Sequence, residues 1–252
     1  MAARKPLIAG NWKMHGRKAD LAEAAALEAA AGAALARVEV LICPPTPYIE
    51  AAVLAVGRSG VIVGAQDCSP VGADAARTGE VSAGMLADVG ARYVIVGHSE
   101  RRTLLSETDE MVRQKAEAAQ TAGLAPIVCV GETQAQREAG QAGAIVAGQV
   151  RASTPAAPDR LVVAYEPVWA IGGSRTPTLE EIAEIHAVVR AELTARYGAG
   201  ADAVRVLYGG SVNPKNAREI FAVDGVDGAL VGRASLKAAD FAAIITAHPA
   251  AL

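Results

Sequence analysis

Apolar residues along the chain gather into eight short, continuous runs instead of alternating with polar ones. The runs are Leu7-Ile-Ala-Gly10, Val40-Leu-Ile-Cys43, Val61-Ile-Val-Gly64, Tyr93-Val-Ile-Val-Gly97, Ile127-Val-Cys-Val-Gly131, Leu161-Val-Val-Ala-Tyr165, Val204-Arg-Val-Leu-Tyr208 and Gly228-Ala-Leu-Val-Gly232. Runs of this kind are expected of parallel strands whose two faces are both covered by helices. Between them lie polar or glycine-containing turns and longer stretches rich in Ala and Glu. Residues 17–36, 103–121, 178–197 and 235–247 are predicted helices, because Ala, Leu, Glu and Lys are strong helix formers. Gln134 to Ser153 is a weaker one, interrupted by Gly140, Gly143 and Gly148.

Eight strand–helix units in 252 residues predict an α/β fold. The strands are expected to close into a (β/α)8 barrel, a single domain spanning residues 1–252. The competing arrangement is an open, doubly wound sheet. The absence of a G-x-G-x-x-G dinucleotide fingerprint after the first run counts against it.

Composition narrows the function classes. The net charge is −3, with both signs interspersed. No basic block is available to neutralise a nucleic-acid backbone. No apolar run approaches the roughly 18 residues of a membrane span. The opening Met1-Ala-Ala-Arg-Lys-Pro6 leads into no long apolar stretch and does not read as a secretory signal. Cys43, Cys68 and Cys129 are odd in number, widely spaced and set in or beside apolar runs. They read as buried, reduced thiols of a cytoplasmic protein. The four histidines make no metal-ligand pattern, so neither a metal nor a cofactor is expected.

In such a barrel the chemistry sits where strands end. Asn11-Trp12-Lys13 follows the first run, and Lys13 reads either as a cation in the barrel mouth or as an exposed, snorkelling lysine. His98 follows the fourth run at a helix start. Backbone N–H groups there favour a neutral, hydrogen-bond-donating ring. Glu166 ends the sixth run, where desolvation is expected to raise its basicity. Pro167 keeps Glu166 extended. Val168 to Ser174 combines apolar residues with Gly172 and Gly173, the composition of a water-excluding lid. Gly209-Gly210-Ser211 and Gly232-Arg233 follow the last two runs. Glycines there let backbone N–H groups approach an anion. A base, a neutral electrophile, a cation, an anion nest and a lid fit proton abstraction beside a carbonyl on a small phosphorylated substrate.

Gly10-Asn-Trp-Lys-Met14, Val96-Gly-His-Ser-Glu-Arg-Arg102, Ile127-Val-Cys-Val-Gly-Glu132, Ala164-Tyr-Glu-Pro-Val-Trp-Ala-Ile-Gly172, Leu207-Tyr-Gly-Gly-Ser-Val212 and Gly228-Ala-Leu-Val-Gly232 resemble the signature segments of the triosephosphate isomerase family. The matches are collinear over nearly the whole chain. The resemblance implies that Glu166 is the catalytic base and His98 the electrophile that shuttles protons between the substrate oxygens. Lys13, assisted by Asn11, supplies charge to the enediolate and the phosphate. Gly172, Ser211, Gly232 and Arg233 offer backbone N–H groups to the phosphate. Glu100, Tyr208 and Gly210 support these groups. It also implies a homodimer through the loop around Thr78 and a small sugar phosphate as substrate, while charge and hydropathy speak against nucleic acid or membrane as partner.

The chain departs from the family pattern in places. The lid reads Gly172-Gly173-Ser174-Arg175 where Gly-Thr-Gly-Lys is usual. Pro177 stands where a lid N–H is expected to meet the Tyr208 hydroxyl, and proline has none. Arg233 replaces the commoner second glycine, so it must avoid positive φ or accept strain. Arg77 and Asp67 are further departures, Asp67 standing where asparagine is common. Three other functions compete with a triose substrate. They are a four-carbon erythrulose-phosphate isomerase with the same residues, a silent phosphate-binding barrel, and a Schiff-base aldolase using Lys13.

Overall fold

The computed structural model describes residues 4–171 and 175–251. The eight runs form strands β1 (Leu7–Asn11), β2 (Glu39–Cys43), β3 (Val61–Ala65), β4 (Tyr93–Val96), β5 (Ala125–Val130), β6 (Val162–Tyr165), β7 (Arg205–Tyr208) and β8 (Gly228–Val231). Each pairs in parallel with the next, and β8 pairs back with β1 to close the barrel.

Side chains alternate between the two faces of each strand. Leu7, Ala9, Leu41, Ile95, Ile127, Ala164, Leu207 and Leu230 form one buried cluster inside the barrel. Their neighbours Ile8, Val40, Val94, Val128, Val163 and Val206 join a second cluster with the helices. Both sets are apolar, which is why the strands read as unbroken runs. Each fully buried Val, Leu or Ile contributes about 1.5–3 kcal/mol of transfer free energy.

The helices are α1 (Leu21–Ala31), α2 (Ala34–Arg37), α3 (Ile49–Val56), α4 (Ala83–Asp88), α5 (Ser99–Leu105), α6 (Asp109–Thr121), α7 (Gln134–Glu138), α8 (Ala142–Ser153), α9 (Leu179–Tyr197), α10 (Ala217–Phe221) and α11 (Ala238–Ala247). Helix α9 matches the predicted 178–197. Thr178 accepts the Glu181 N–H there, and the Glu181 side chain accepts the Thr178 N–H.

Three other predicted helices are corrected. The stretch 17–36 begins with a 3₁₀ turn, Lys18–Asp20, and breaks at Gly32, which sits at φ 52°. The stretch 103–121 is two helices, because Ser106 adopts the left-handed region at φ 55° and Thr108 caps the second. The stretch 235–247 begins with a 3₁₀ turn, Arg233–Ser235, before α11. The weak helix from Gln134 breaks at Gly140, at φ 69°, while Gly143 and Gly148 lie inside α8. The sequence places no helix at α3 or α4, and the helix expected from Pro214 begins only at Ala217, as α10.

Among the described residues, no helix is long and apolar enough to cross a membrane. No group of three or more His, Cys, Asp or Glu stands ready for a metal ion among them either. All three cysteines are free and buried.

Candidate active site

The C-terminal ends of the strands open into one cavity of about 730 Å³. Asn11 and Lys13 reach it from β1, His98 and Glu100 from β4, and Glu166 from β6. Gly210 and Ser211 follow β7 and Gly232 and Arg233 follow β8 on its walls. Residues scattered over more than 200 positions of sequence thus meet at one mouth. Gly172, with Gly173 and Ser174, lies outside the described residues.

Lys13 is held in an unusual backbone state. Its φ is 51°, in the left-handed region that costs a side-chain-bearing residue on the order of 1–3 kcal/mol. Two neighbours fix it there. The Asn11 side-chain oxygen accepts the Lys13 N–H at 2.9 Å. Gln66, just past β3, donates from Nε2 to the Lys13 carbonyl at 2.9 Å and to the Cys43 carbonyl at 2.8 Å. The Lys13 ammonium lies 2.5 Å from Glu100 Oε1.

His98 caps α5. Its Nδ1 accepts the Glu100 N–H at 3.2 Å, so a neutral ring carries its proton on Nε2. That nitrogen lies 2.9 Å from Glu166 Oε1. Glu166 Oε2 accepts the Ser99 N–H at 2.9 Å. Both side chains are buried. The close approach of Glu166 to the fifth strand's exit requires glycine, since a Cβ on Gly131 would collide with the Glu166 carbonyl.

Electrostatics in this resting pair differ from the simple desolvation expected of a strand-end carboxylate. Burial is the strongest influence on Glu166 and pushes its pKa up. The charge and hydrogen bond of His98, the Ser99 N–H and the charge of Lys13 together outweigh it, so the net shift is downward. Burial is likewise the strongest influence on His98 and pulls its pKa down, but the Glu166 carboxylate reverses the net direction. Each partner therefore favours the other's charged form.

Behind this pair sits a buried carboxylate, Glu132. It accepts the Trp169 indole N–H at 2.7 Å and the Tyr165 hydroxyl at 3.1 Å. The guanidinium groups of Arg175 and Arg137 lie 4.7 and 5.9 Å from the Trp169 ring centroid. Tyr208 packs under Gly210, where any Cβ would strike its hydroxyl. That hydroxyl is buried and has no hydrogen-bond partner among the described residues.

The backbone N–H groups of Ser211, Gly232 and Arg233 bond to no carbonyl among the described residues and line the cavity. They are free to meet an anion. Arg233 avoids positive φ, so replacing glycine there costs no backbone strain.

A sequence model of the triosephosphate isomerase family matches residues 6–248. The chain belongs to the triosephosphate isomerase family. It is 58% identical to the triosephosphate isomerase of Afipia carboxidovorans, over 97% of this chain and 98% of that protein. It is 54% identical to the one from Xanthobacter autotrophicus, over 99% of both. The crystal structure of triosephosphate isomerase from Bartonella henselae superposes with a TM-score of 0.88 at 40% identity, covering 96% of this chain and 98% of that one.

Membership of this family accounts for the closed barrel and for the shared mouth where the signature residues meet. Two contributors were missed in the sequence. Gln66 directly follows a strand, the same signal that picked out Lys13 and His98. Ser99 acts through its main chain, which its side-chain identity does not announce.

Proposed function

We propose that this chain interconverts dihydroxyacetone phosphate and D-glyceraldehyde 3-phosphate by proton transfer through an enediolate. The observation that carries this is the buried Glu166–His98 pair beside Lys13 in one cavity.

The chemistry follows from what a substrate does on entering. A carbonyl compound placed between Glu166 and His98 takes over both of their partners. Glu166 then loses the His98 contact that lowered its pKa and keeps the burial that raises it. It becomes a stronger base and removes a proton from the carbon next to the carbonyl. His98, freed of Glu166, keeps its burial and the Glu100 N–H at Nδ1, which both favour the neutral ring. Its Nε2–H donates to the carbonyl oxygen as the enediolate forms. Lys13 offsets the developing negative charge. Glu166 returns its proton to the neighbouring carbon, and His98 moves the second proton between the oxygens. The backbone N–H groups of Ser211, Gly232 and Arg233 hold the phosphate, with Gly172 the counterpart from the lid.

Relatives more than half identical over nearly their full length bear the triosephosphate isomerase name, so a four-carbon substrate is not favoured. Lys13, paired with Glu100, is poorly suited to form a Schiff base. We further place the enzyme in the cytoplasm as a single-domain homodimer acting in glycolysis and gluconeogenesis. Its free thiols fit a reducing compartment. Gly72 to Glu80 are exposed without interruption, and Met14 and Leu104 are 95% and 77% exposed, a surface suited to a second copy.

Isomerisation in deuterium oxide tests the reading. The wild type should carry solvent deuterium into the product, and Glu166→Gln should not. Equal deuterium incorporation by the two proteins would show that another group abstracts the proton.

A further inference from the structure

The cavity's charge balance works against a phosphorylated substrate. Glu100, Glu166 and Asp240 line it, against only two Lys or Arg side chains, Lys13 and Arg233. Lys13 is committed to Glu100 at 2.5 Å. Glu166 is buried against His98 and the Ser99 N–H. Arg233 is exposed at the cavity wall, directly after Gly232, and enters no ion pair with a described residue. Of the described Lys and Arg side chains lining this mouth, Arg233 alone is unpaired, and its own N–H is among those suited to hold a dianion.

We propose that the Arg233 side chain captures the substrate's phosphate and sets the site's preference for a dianionic phosphoryl group. The assignment rests on the isomerase reading above and adds a side chain to its backbone cradle. A guanidinium presents paired N–H donors that match phosphate oxygens. In a concave mouth its field also acts on an approaching anion before contact. Without Arg233 the walls keep three carboxylates against one lysine. The effect falls on capture and affinity, because Glu166 and His98 carry the proton transfers themselves.

The experiment compares wild type, Arg233→Gln and Arg233→Lys on glyceraldehyde 3-phosphate at two ionic strengths. At about 0.02 M the Debye length is about 20 Å, and at about 0.5 M it is about 4 Å. Arg233→Gln should lose about 5- to 20-fold in kcat/KM at low salt, chiefly through KM, and about 2-fold at high salt. Arg233→Lys should retain most of the wild-type value. Binding of inorganic phosphate, followed by calorimetry on the same samples, should weaken in parallel. A Gln variant within 2-fold of wild type at low salt, or equally impaired at both salts, overturns the proposal. Should the wild type fail to isomerise, the isomerase reading falls. The phosphate titration then still decides the role of Arg233, since unchanged affinity in the Gln variant refutes it.

Discussion

His98 Nε2 lies 2.9 Å from Glu166 Oε1, and in that pairing the Glu166 pKa is held down and the His98 pKa is held up. On the mechanism proposed above, a bound carbonyl compound takes the place of this contact and frees the base. Placement of the carboxylate is therefore critical. Glu166→Asp withdraws it by one methylene, and a shift of about 1 Å costs on the order of 100-fold. Steady-state kinetics should show that loss in kcat with KM little changed. A loss below about 10-fold would mean that the carboxylate's position is not limiting.

Tyr208 presents a different expectation. Its hydroxyl is buried without a partner among the described residues, and Pro177 has no N–H to offer it. Tyr208→Phe should change kcat/KM by less than about 3-fold. It should leave stability unchanged or raise it slightly, since an unpaired buried hydroxyl costs about 1–3 kcal/mol. A loss of 100-fold or more in kcat/KM would reveal a partner for that hydroxyl in the working enzyme.

Glu132 should behave in the opposite way. It accepts from Trp169 and Tyr165 and lies 3.6 Å from Arg137. Glu132→Gln removes the buried one of three carboxylates around Arg137, which keeps Glu181 and Glu184, and replaces one acceptor oxygen by a donor. Urea titration should show a loss of about 1–3 kcal/mol. Indole emission should shift to the red as Trp169 loses its fixed environment. An unchanged unfolding midpoint would show that the carboxylate's charge contributes nothing.

A pH effect follows from His186. It is fully buried, its Nδ1 meets the Gly225 carbonyl at 3.0 Å, and desolvation lowers its pKa to about 4. The unfolded chain takes up this proton near pH 6.5, and the folded chain does so only near pH 4. Between those values the unfolded state binds more protons, so stability falls as the pH falls. The limiting slope is about 1.4 kcal/mol per pH unit. His186→Gln should remove that part of the slope between pH 6.5 and 4.5, measured by denaturant unfolding. An identical slope in the variant would assign the effect to other groups.

The fold was legible because both strand faces are apolar, so Leu7 and Ile8 read alike although one faces the barrel interior and the other the helices. The helix break at Gly140 was legible, whereas those at Gly32 and Ser106 were not. Short helices such as Ala217–Phe221 give too few turns for a period to emerge. Glu166, His98 and Lys13 stood out as polar residues at strand ends. Their mutual effect did not, because the Ser99 N–H that restrains Glu166 comes from 67 residues away. Burial alone would have made Glu166 a stronger base, and only the assembled site shows the contacts that lower its pKa instead.

The most direct test of that account is kcat/KM for glyceraldehyde 3-phosphate and erythrulose 4-phosphate side by side, with Glu166→Gln as control. The account predicts a triose value approaching the diffusional ceiling of about 10⁸–10⁹ M⁻¹s⁻¹, a far lower tetrose value, and a control that collapses. A preference for the tetrose, or a control as fast as the wild type, would contradict it.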